Sequence, residues 1–261
     1  MTQGSRDVAL VTPEGGWSRL KIFDWLARLA NSEADVLVGL DLSPALPFAD
    51  AGAYFPGWEA SPPDARSLWS LVDAICARDP HLSASSFVAH DQAGRHFRHQ
   101  GRQGDLFPGG MGRMRVCEGG QAAMGLRPYS CFNLVGAAQV GKSSLTGMRV
   151  LHRLAGRIPV WPFDPMPKQG PCIVEIYTSL AARVAGVMGP KIKITEGAKL
   201  DAVLKTLDAG ADVPERITDH ASDALLTAAW LRRVAGVAEN WAPSGITDDI
   251  AATEGWTFGV V

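Results

Sequence analysis

One short, almost uninterrupted apolar run constrains the fold of this chain more than any other feature: Asp35-Val36-Leu37-Val38-Gly39-Leu40. Strands covered on both faces by helices read as continuous apolar runs, whereas half-exposed strands alternate apolar and polar residues. The run therefore predicts a central strand of a parallel sheet. It also places Asp41 at the carboxyl end of that strand, before a loop rich in Pro, Gly and aromatic residues and then a helix.

The remaining chain alternates between helical and extended patterns. Apolar residues at helical spacing predict helices at 18–30, 63–78, 143–154, 197–209 and from 219 onward, the last with Thr218 as its N-cap. Extended apolar pieces predict strands at 7–11, 131–135, 158–163 and 171–176. Since 261 residues suit one α/β domain with insertions, we predict a single domain over 1–261, built from a sheet flanked by helices.

Composition restricts the class of protein further. A net charge of −2 with 20% charged residues gives no global electrostatic case for nucleic acid, so any such case rests on local patches. No apolar run reaches about 18 residues and no signal-peptide pattern is present, which predicts a cytoplasmic protein without a membrane partner. Widely spaced cysteines without a CxxC pair are typical of buried reduced thiols: Cys76, Cys117, Cys131 and Cys172.

The segment at about 90–125 changes character, with many glycines, little apolar periodicity and a basic group composed of Arg95, His96, Arg98, His99, Arg102, Arg113 and Arg115. It predicts a loop-rich surface insertion. Guanidinium and imidazolium groups clustered on one loop suit phosphate oxygens, which leaves a basic flap over a polyanion open as the less favoured of two interpretations. An ordinary solvated insertion is the alternative.

The segment 136–143 fits the phosphate-cradle pattern GxxxxGKS, which makes Gly136, Gly141, Lys142 and Ser143 candidate nucleotide contacts. A P-loop core also needs several parallel strands downstream, one of them ending in an Asp for Mg²⁺. Here the strand that ends in an Asp lies upstream. The pattern therefore favours a tight turn that meets a helix N-terminus over an ATP site.

Carboxylates form a second set of candidates. Glu175 lies in an apolar strand, where burial is costly unless the group is paired, protonated or bound to a cation; an exposed strand end is the alternative. Asp219 and Asp223, four residues apart, share one helical face. The helix dipole accounts for Asp219, whereas small residues around Asp223 would let this helix approach a sheet closely.

Carboxylates in this order resemble those of the ribonuclease H-like superfamily, and the chain is similar to a family of predicted RNase H-like nucleases that is classed as a domain of unknown function. The segments that carry the resemblance are Val38-Gly39-Leu40-Asp41 with Pro44 and Pro47-Phe48, Val140-Gly141-Lys142-Ser143-Ser144-Leu145-Thr146-Gly147, Val160-Trp161-Pro162-Phe163, Val174-Glu175-Ile176-Tyr177-Thr178-Ser179-Leu180, Ser222-Asp223-Ala224-Leu225 and Glu254-Gly255-Trp256-Thr257-Phe258-Gly259.

The resemblance implies a mixed sheet flanked by helices, with the carboxylates near one edge. Two divalent ions, Mg²⁺ or Mn²⁺, would act there on a phosphodiester of nucleic acid. Asp41, Glu175 and Asp223 would be the catalytic ligands and Asp219 an auxiliary one. The resemblance also makes the 136–143 turn a family feature instead of an ATP site, and Arg95, Arg98 and Arg102 become backbone contacts.

One departure from the superfamily keeps other functions open. Its members begin with a strand that ends in the first catalytic Asp and continues into a hairpin, whereas this chain begins with what reads as the third strand, 7–11. Either the true start lies upstream of Met1 or a metal ligand is absent. Three functions remain: a metal-dependent nuclease, a P-loop nucleotide-binding protein, and a noncatalytic RNase H-like binding module.

Overall fold

A computed structural model of the chain describes residues 7–135, 140–187 and 193–261. Its helices are α1 (Arg19–Ala30), α2 (Ala65–Ile75), α3 (Ser85–Val88), α4 (Val116–Ala123), α5 (Val140–Leu154), α6 (Thr178–Val184), α7 (Gly197–Thr206), α8 (Asp219–Val234) and α9 (Asp248–Thr253). Its strands are β1 (Leu37–Leu40), β2 (Arg98–His99), β3 (Arg102–Gln103), β4 (Val160–Trp161) and β5 (Cys172–Glu175).

A three-stranded parallel sheet in the order β1-β5-β4 lies among the helices. Leu37 pairs with Cys172 and Leu40 with Glu175, so β1 and β5 end at the same edge. The α/β class is thereby confirmed in its coarse form, as is the strand before Asp41. In the described sheet, however, β5 occupies the middle and β1 an edge. A separate antiparallel ribbon joins β2 to β3.

Helices α1, α2, α8 and α9 each begin after a residue whose side chain caps the first turn. Ser18 accepts a hydrogen bond from the Lys21 N–H (3.2 Å), and Thr218 accepts one from the Ala221 N–H (3.3 Å). Such caps satisfy backbone donors that a first turn leaves free, and each contributes about 1 kcal/mol. The predicted helices at 18–30, 63–78, 143–154 and 197–209 and the one starting at 219 are confirmed within a few residues.

Two clusters of buried apolar side chains stabilise the fold. One includes β1, α2 and α5, and the other includes β5, α6, α8 and the C-terminal segment. In the first, Gly147 lets α5 approach the segment after β1, because an added Cβ would lie 2.4 Å from Leu42 Cδ2. In the second, Trp230 and Phe258 are almost fully buried. Both clusters border β5, so the central strand is covered from two sides.

Two predicted strands are wrong. Residues 7–11 form no strand, and Val8 instead donates one backbone hydrogen bond to Gly210 (2.8 Å). Residues 131–135 form a turn in which the Leu134 N–H donates to Arg98 O (2.8 Å). Cys131, Phe132 and Leu134 are buried without joining the parallel sheet, whereas Leu10 and Val11 are exposed. Periodicity does not distinguish a short buried run from a strand, which accounts for the error at 131–135. The run at 7–11 is apolar in sequence but lies at the surface, paired to the rest of the chain by the Val8 hydrogen bond.

The predicted surface insertion at 90–125 divides into an exposed and an interior part. The β2–β3 ribbon is largely exposed, with Arg98 and Arg102 open to solvent. His96, Arg115 and Glu118 are buried, so the prediction of a surface excursion is wrong for these residues. None of the helices in the described ranges is long and apolar enough to cross a membrane.

Candidate functional site

Asp41 and Glu175 meet at one edge of the sheet because their strands are parallel and in register. Glu175 is the last residue of β5 and pairs with Leu40, and Asp41 follows Leu40 directly. The backbone N–H of Thr178, the first residue of α6, lies near enough to the Asp41 carboxylate to lower its pKa. The strand ends and the α6 N-terminus thus position this carboxylate.

Asp41 lies in an unfavourable place for a negative charge. Its pKa is raised to about 6, first because surrounding atoms displace water from the carboxylate, then because of the charges of Asp223 and Glu175. The Thr178 N–H and His220 oppose this rise. Since the residue as a whole reaches solvent, we interpret the shift as partial desolvation combined with repulsion between neighbouring acids.

Helix α8 brings Asp223 to the same edge. Burial and then the charge of Asp219 raise the pKa of Asp223, while His220 and Lys193 lower it. Asp219 is half-buried and forms an ion pair with Lys193. The two acids of this helix therefore differ: Asp219 has a lysine partner, whereas Asp223 adds its charge to the environment of Asp41.

Glu175 is buried and paired, as the cost of burying its charge requires. Arg115 binds it in a fork, with Nη1 2.8 Å from Oε2 and Nη2 2.6 Å from Oε1. Thr257 donates a third hydrogen bond to Oε1 (2.8 Å). Only 5% of Glu175 is exposed. This carboxylate already has three donors.

Arg115 is the centre of a buried polar network that the sequence pattern did not identify. Besides Glu175, it binds Glu118 Oε1 (3.1 Å), Ser43 Oγ (3.0 Å) and the Glu254 carbonyl (3.1 Å). In the sequence it stood among the basic residues of the insertion. A Glu inside an apolar strand indicates that a cationic partner exists, but only the fold shows which one.

Glu254 extends this network to the C-terminus. Its carboxylate is fully buried and accepts hydrogen bonds from the backbone N–H groups of Phe48 (2.6 Å), Ala49 (2.8 Å) and Val116 (2.6 Å). It therefore ties the loop after β1 to the start of α4. In the sequence, Glu254 stood out only as the first residue of the last segment that carries the family resemblance, and its role in this network was not predicted.

The donor set limits how a metal ion could be held. Within the described residues, no group of three or more His, Cys, Asp or Glu side chains is placed to hold a metal ion. Arg115 supplies a physical reason, since it occupies both oxygens of Glu175. Asp41 and Asp223 remain as an interacting pair. Mg²⁺ commonly binds through one or two carboxylates, with waters and substrate phosphates as its other ligands, and the pair fits that arrangement.

The GxxxxGKS segment is described only from residue 140 onward, so Gly136 lies outside the described residues. Gly141, Lys142 and Ser143 belong to the first turn of α5. A Cβ on Gly141 would lie 2.1 Å from the Cys131 carbonyl oxygen, so close packing requires this glycine. The residues before the motif form a turn and not a sheet strand, which differs from the context of a P-loop.

A second feature is a cavity of about 950 Å³, termed the basic cleft here, between α1, the β2–β3 ribbon and α5. Its charged and imidazole side chains are Arg19, His90, Asp91, Arg95, His99, Arg102, Asp105 and Lys142. Two of the predicted backbone contacts, Arg95 and Arg102, line it, and Arg98 does not. The cleft brings the ribbon and the lysine of the GKS motif together, whereas the candidate carboxylates lie elsewhere.

Comparisons of the chain with protein-family models, with curated proteins and with solved structures found no match. The proposals about function therefore rest on two places in the fold. The first is the carboxylate edge, defined by Asp41, Glu175 and Asp223. The second is the basic cleft.

Proposed function

We propose that this protein is a divalent-metal-dependent phosphodiester hydrolase of RNase H-like type that acts on nucleic acid. The observation that carries the proposal is the meeting of Asp41 and Glu175 at the ends of two parallel, in-register strands, with Asp223 of α8 near enough for its charge to raise the pKa of Asp41. Carboxylates that repel one another at a sheet edge are a common arrangement for a cation, because the ion removes the repulsion.

The residues have distinct roles in this proposal. Asp41 and Asp223 would hold Mg²⁺ or Mn²⁺ directly. Glu175, held by Arg115, would orient the edge and add negative charge, and Asp219 would be an auxiliary acid restrained by Lys193. When bound, the ion supplies activation of water and stabilisation of the leaving oxygen. Asp41 must be ionised to bind the ion, so we expect weaker metal binding below pH about 6.

The test is cleavage of single- and double-stranded DNA and RNA with Mg²⁺ or Mn²⁺, together with calorimetry of metal binding. Asp223→Asn keeps the shape of the side chain and removes its charge, and we expect it to abolish both cleavage and metal binding. Asp248→Asn, an exposed acid in the first turn of α9, is the matched control and should change neither. Unchanged cleavage by Asp223→Asn would refute the assignment.

A second candidate is a noncatalytic binding module of the same type. It is favoured by the fork between Arg115 and Glu175, which leaves Asp41 and Asp223 without a free third carboxylate from β5. This candidate predicts nucleic-acid binding without turnover at any metal concentration. Metal-dependent turnover by the purified chain would exclude it.

A further inference from the structure

We propose that the basic cleft binds a small molecule that carries a phosphate group. This site goes beyond the proposed hydrolysis, since Asp41, Glu175 and Asp223 are not among its lining residues. It brings together cations from three separate parts of the chain: Arg19 at the start of α1, Arg102 on β3 and Lys142 at the start of α5.

The charges of the cleft do not balance. Arg95 is neutralised by a fork to Asp105, with Nε 2.9 Å from Oδ1 and Nη2 2.6 Å from Oδ2. Over the described part of the chain, the other three cations, Arg19, Arg102 and Lys142, make no ion pair. Asp91 is the remaining acid of the lining. The cleft thus has an excess of two positive charges, which matches the charge of about −1.5 to −2 on a phosphate monoester.

The positions of Lys142 and His99 show that side chains from α5 and from the β2–β3 ribbon approach each other in the cleft. The charge of Lys142, after burial, lowers the pKa of His99, so the lysine lies close to the imidazole. Lys142 is also in the first turn of a 15-residue helix, whose N-terminal end carries the equivalent of about half a positive charge. An anion bound beside Lys142 would face this end of the helix and would favour the protonated, hydrogen-bond-donating form of His99.

Further positive charge lies behind the wall of the cleft. The buried guanidinium of Arg149 donates to the carbonyl of Ser83, a lining residue. Its Nε is 2.8 Å from Asp73 Oδ1, but Arg153 Nε also binds that oxygen, at 3.0 Å. Two guanidinium groups therefore share one carboxylate. Within the described residues the Nη2 of Arg149 has no partner, so the excess charge is not compensated there.

The shape of the cleft favours a small ligand over a long strand. A volume of about 950 Å³ is at the upper end for small-molecule sites. Val88, Phe97 and Leu145 supply an apolar part of the lining against which the rest of a phosphorylated molecule can pack. Asp91, which is exposed and is the remaining acid of the charge count above, would repel the further phosphates of an extended nucleic acid.

The test is calorimetry of the full chain with inorganic phosphate and with pyrophosphate at low ionic strength. We expect saturable binding of both, weakened about tenfold or more by Lys142→Gln and by Arg102→Gln, because charge-assisted hydrogen bonds are lost. Arg98→Gln is the matched control: it lies on the same ribbon, is exposed and does not line the cleft. We expect it to bind like the parent.

The proposal would be overturned if neither phosphate nor pyrophosphate bound at concentrations on the order of 10 mM. It would also be overturned if the Lys142→Gln and Arg98→Gln variants bound pyrophosphate equally well. A third contrary result would be a 20-nucleotide single strand that binds far more tightly than pyrophosphate and no longer binds to Lys142→Gln. The last result would make the cleft a nucleic-acid contact. Asp223→Asn should retain phosphate binding, so failure of the hydrolase proposal and failure of this one are distinguishable.

Discussion

Replacing Arg115 by methionine tests the buried network directly. The substitution removes the counter-charge from Glu175 and Glu118, whose side chains are 4% and 3% exposed. It also removes donors from Ser43 Oγ and the Glu254 carbonyl. Removing one partner of a buried ion pair costs about 3–5 kcal/mol, against about 5–15 kcal/mol for the total stability of a typical domain. We therefore expect a severely destabilised but still foldable variant.

The destabilisation should depend on pH in a defined direction. Without Arg115, the pKa of Glu118 in the folded state rises further above its unfolded value, because burial is then no longer opposed, so the folded variant binds more protons. The stability of the variant is then greatest below the unfolded carboxyl pKa of about 4.3. It falls as the pH rises from there through the raised pKa of the folded state. In the parent, burial already raises the pKa of Glu118 although Arg115 opposes the rise.

Urea unfolding of parent and variant at pH 5 and pH 8 measures the effect. The difference in unfolding free energy should be larger at pH 8. Arg95→Met, which breaks an exposed pair with Asp105, is the control and should change stability little. Adding Glu175→Gln to the Arg115 variant should restore part of the loss, because one buried charge is removed. A loss below about 1 kcal/mol that does not vary with pH would show that the network does not hold these charges.

Two further substitutions test the sheet edge and the start of α5. Since the folded pKa of Asp41 is raised from 3.8 to about 6, its ionisation reduces stability as pH rises between these values. Asp41→Asn should therefore raise Tm at pH 8 and leave it unchanged near pH 3, measured by thermal melts. Gly141→Ala should lower stability by about 1–3 kcal/mol in urea unfolding, because its Cβ meets the Cys131 carbonyl. Gly119→Ala in α4, which meets nothing, should instead gain up to about 1 kcal/mol; equal effects would contradict the packing role of Gly141.

Local patterns were sufficient where neighbouring residues determine the structure. Helical spacing and capping residues such as Ser18 and Thr218 located the main helices, since caps and turns are satisfied within a few positions. The apolar run before Asp41 correctly predicted β1. The strands predicted at 7–11 and 131–135 were wrong because a short apolar segment is also compatible with a buried turn, as at 131–135, and with an exposed irregular segment, as at 7–11.

Only part of the candidate site could be predicted from the sequence. Asp41, Glu175 and Asp223 stood out as acids at the ends or within apolar elements, and the fold brings their charges into interaction. The ion-pair partner of Glu175 could not be predicted from the sequence. Arg115 lies 60 residues away, and no sequence pattern distinguishes it from the other arginines nearby. The basic cleft could not be predicted either, since it joins Arg19, Arg102 and Lys142, which lie far apart in the sequence.

By itself, then, the sequence determined the α/β character, the main helices, the strand that carries Asp41 and the acids that a fold must accommodate. Tertiary structure alone decided which charges neutralise each other and which remain free. The physical reason is that helix and strand patterns depend on contacts a few residues apart. The state of a buried Glu175 or a clustered Lys142 depends on side chains that only the packing of distant segments brings within hydrogen-bond or Coulomb range.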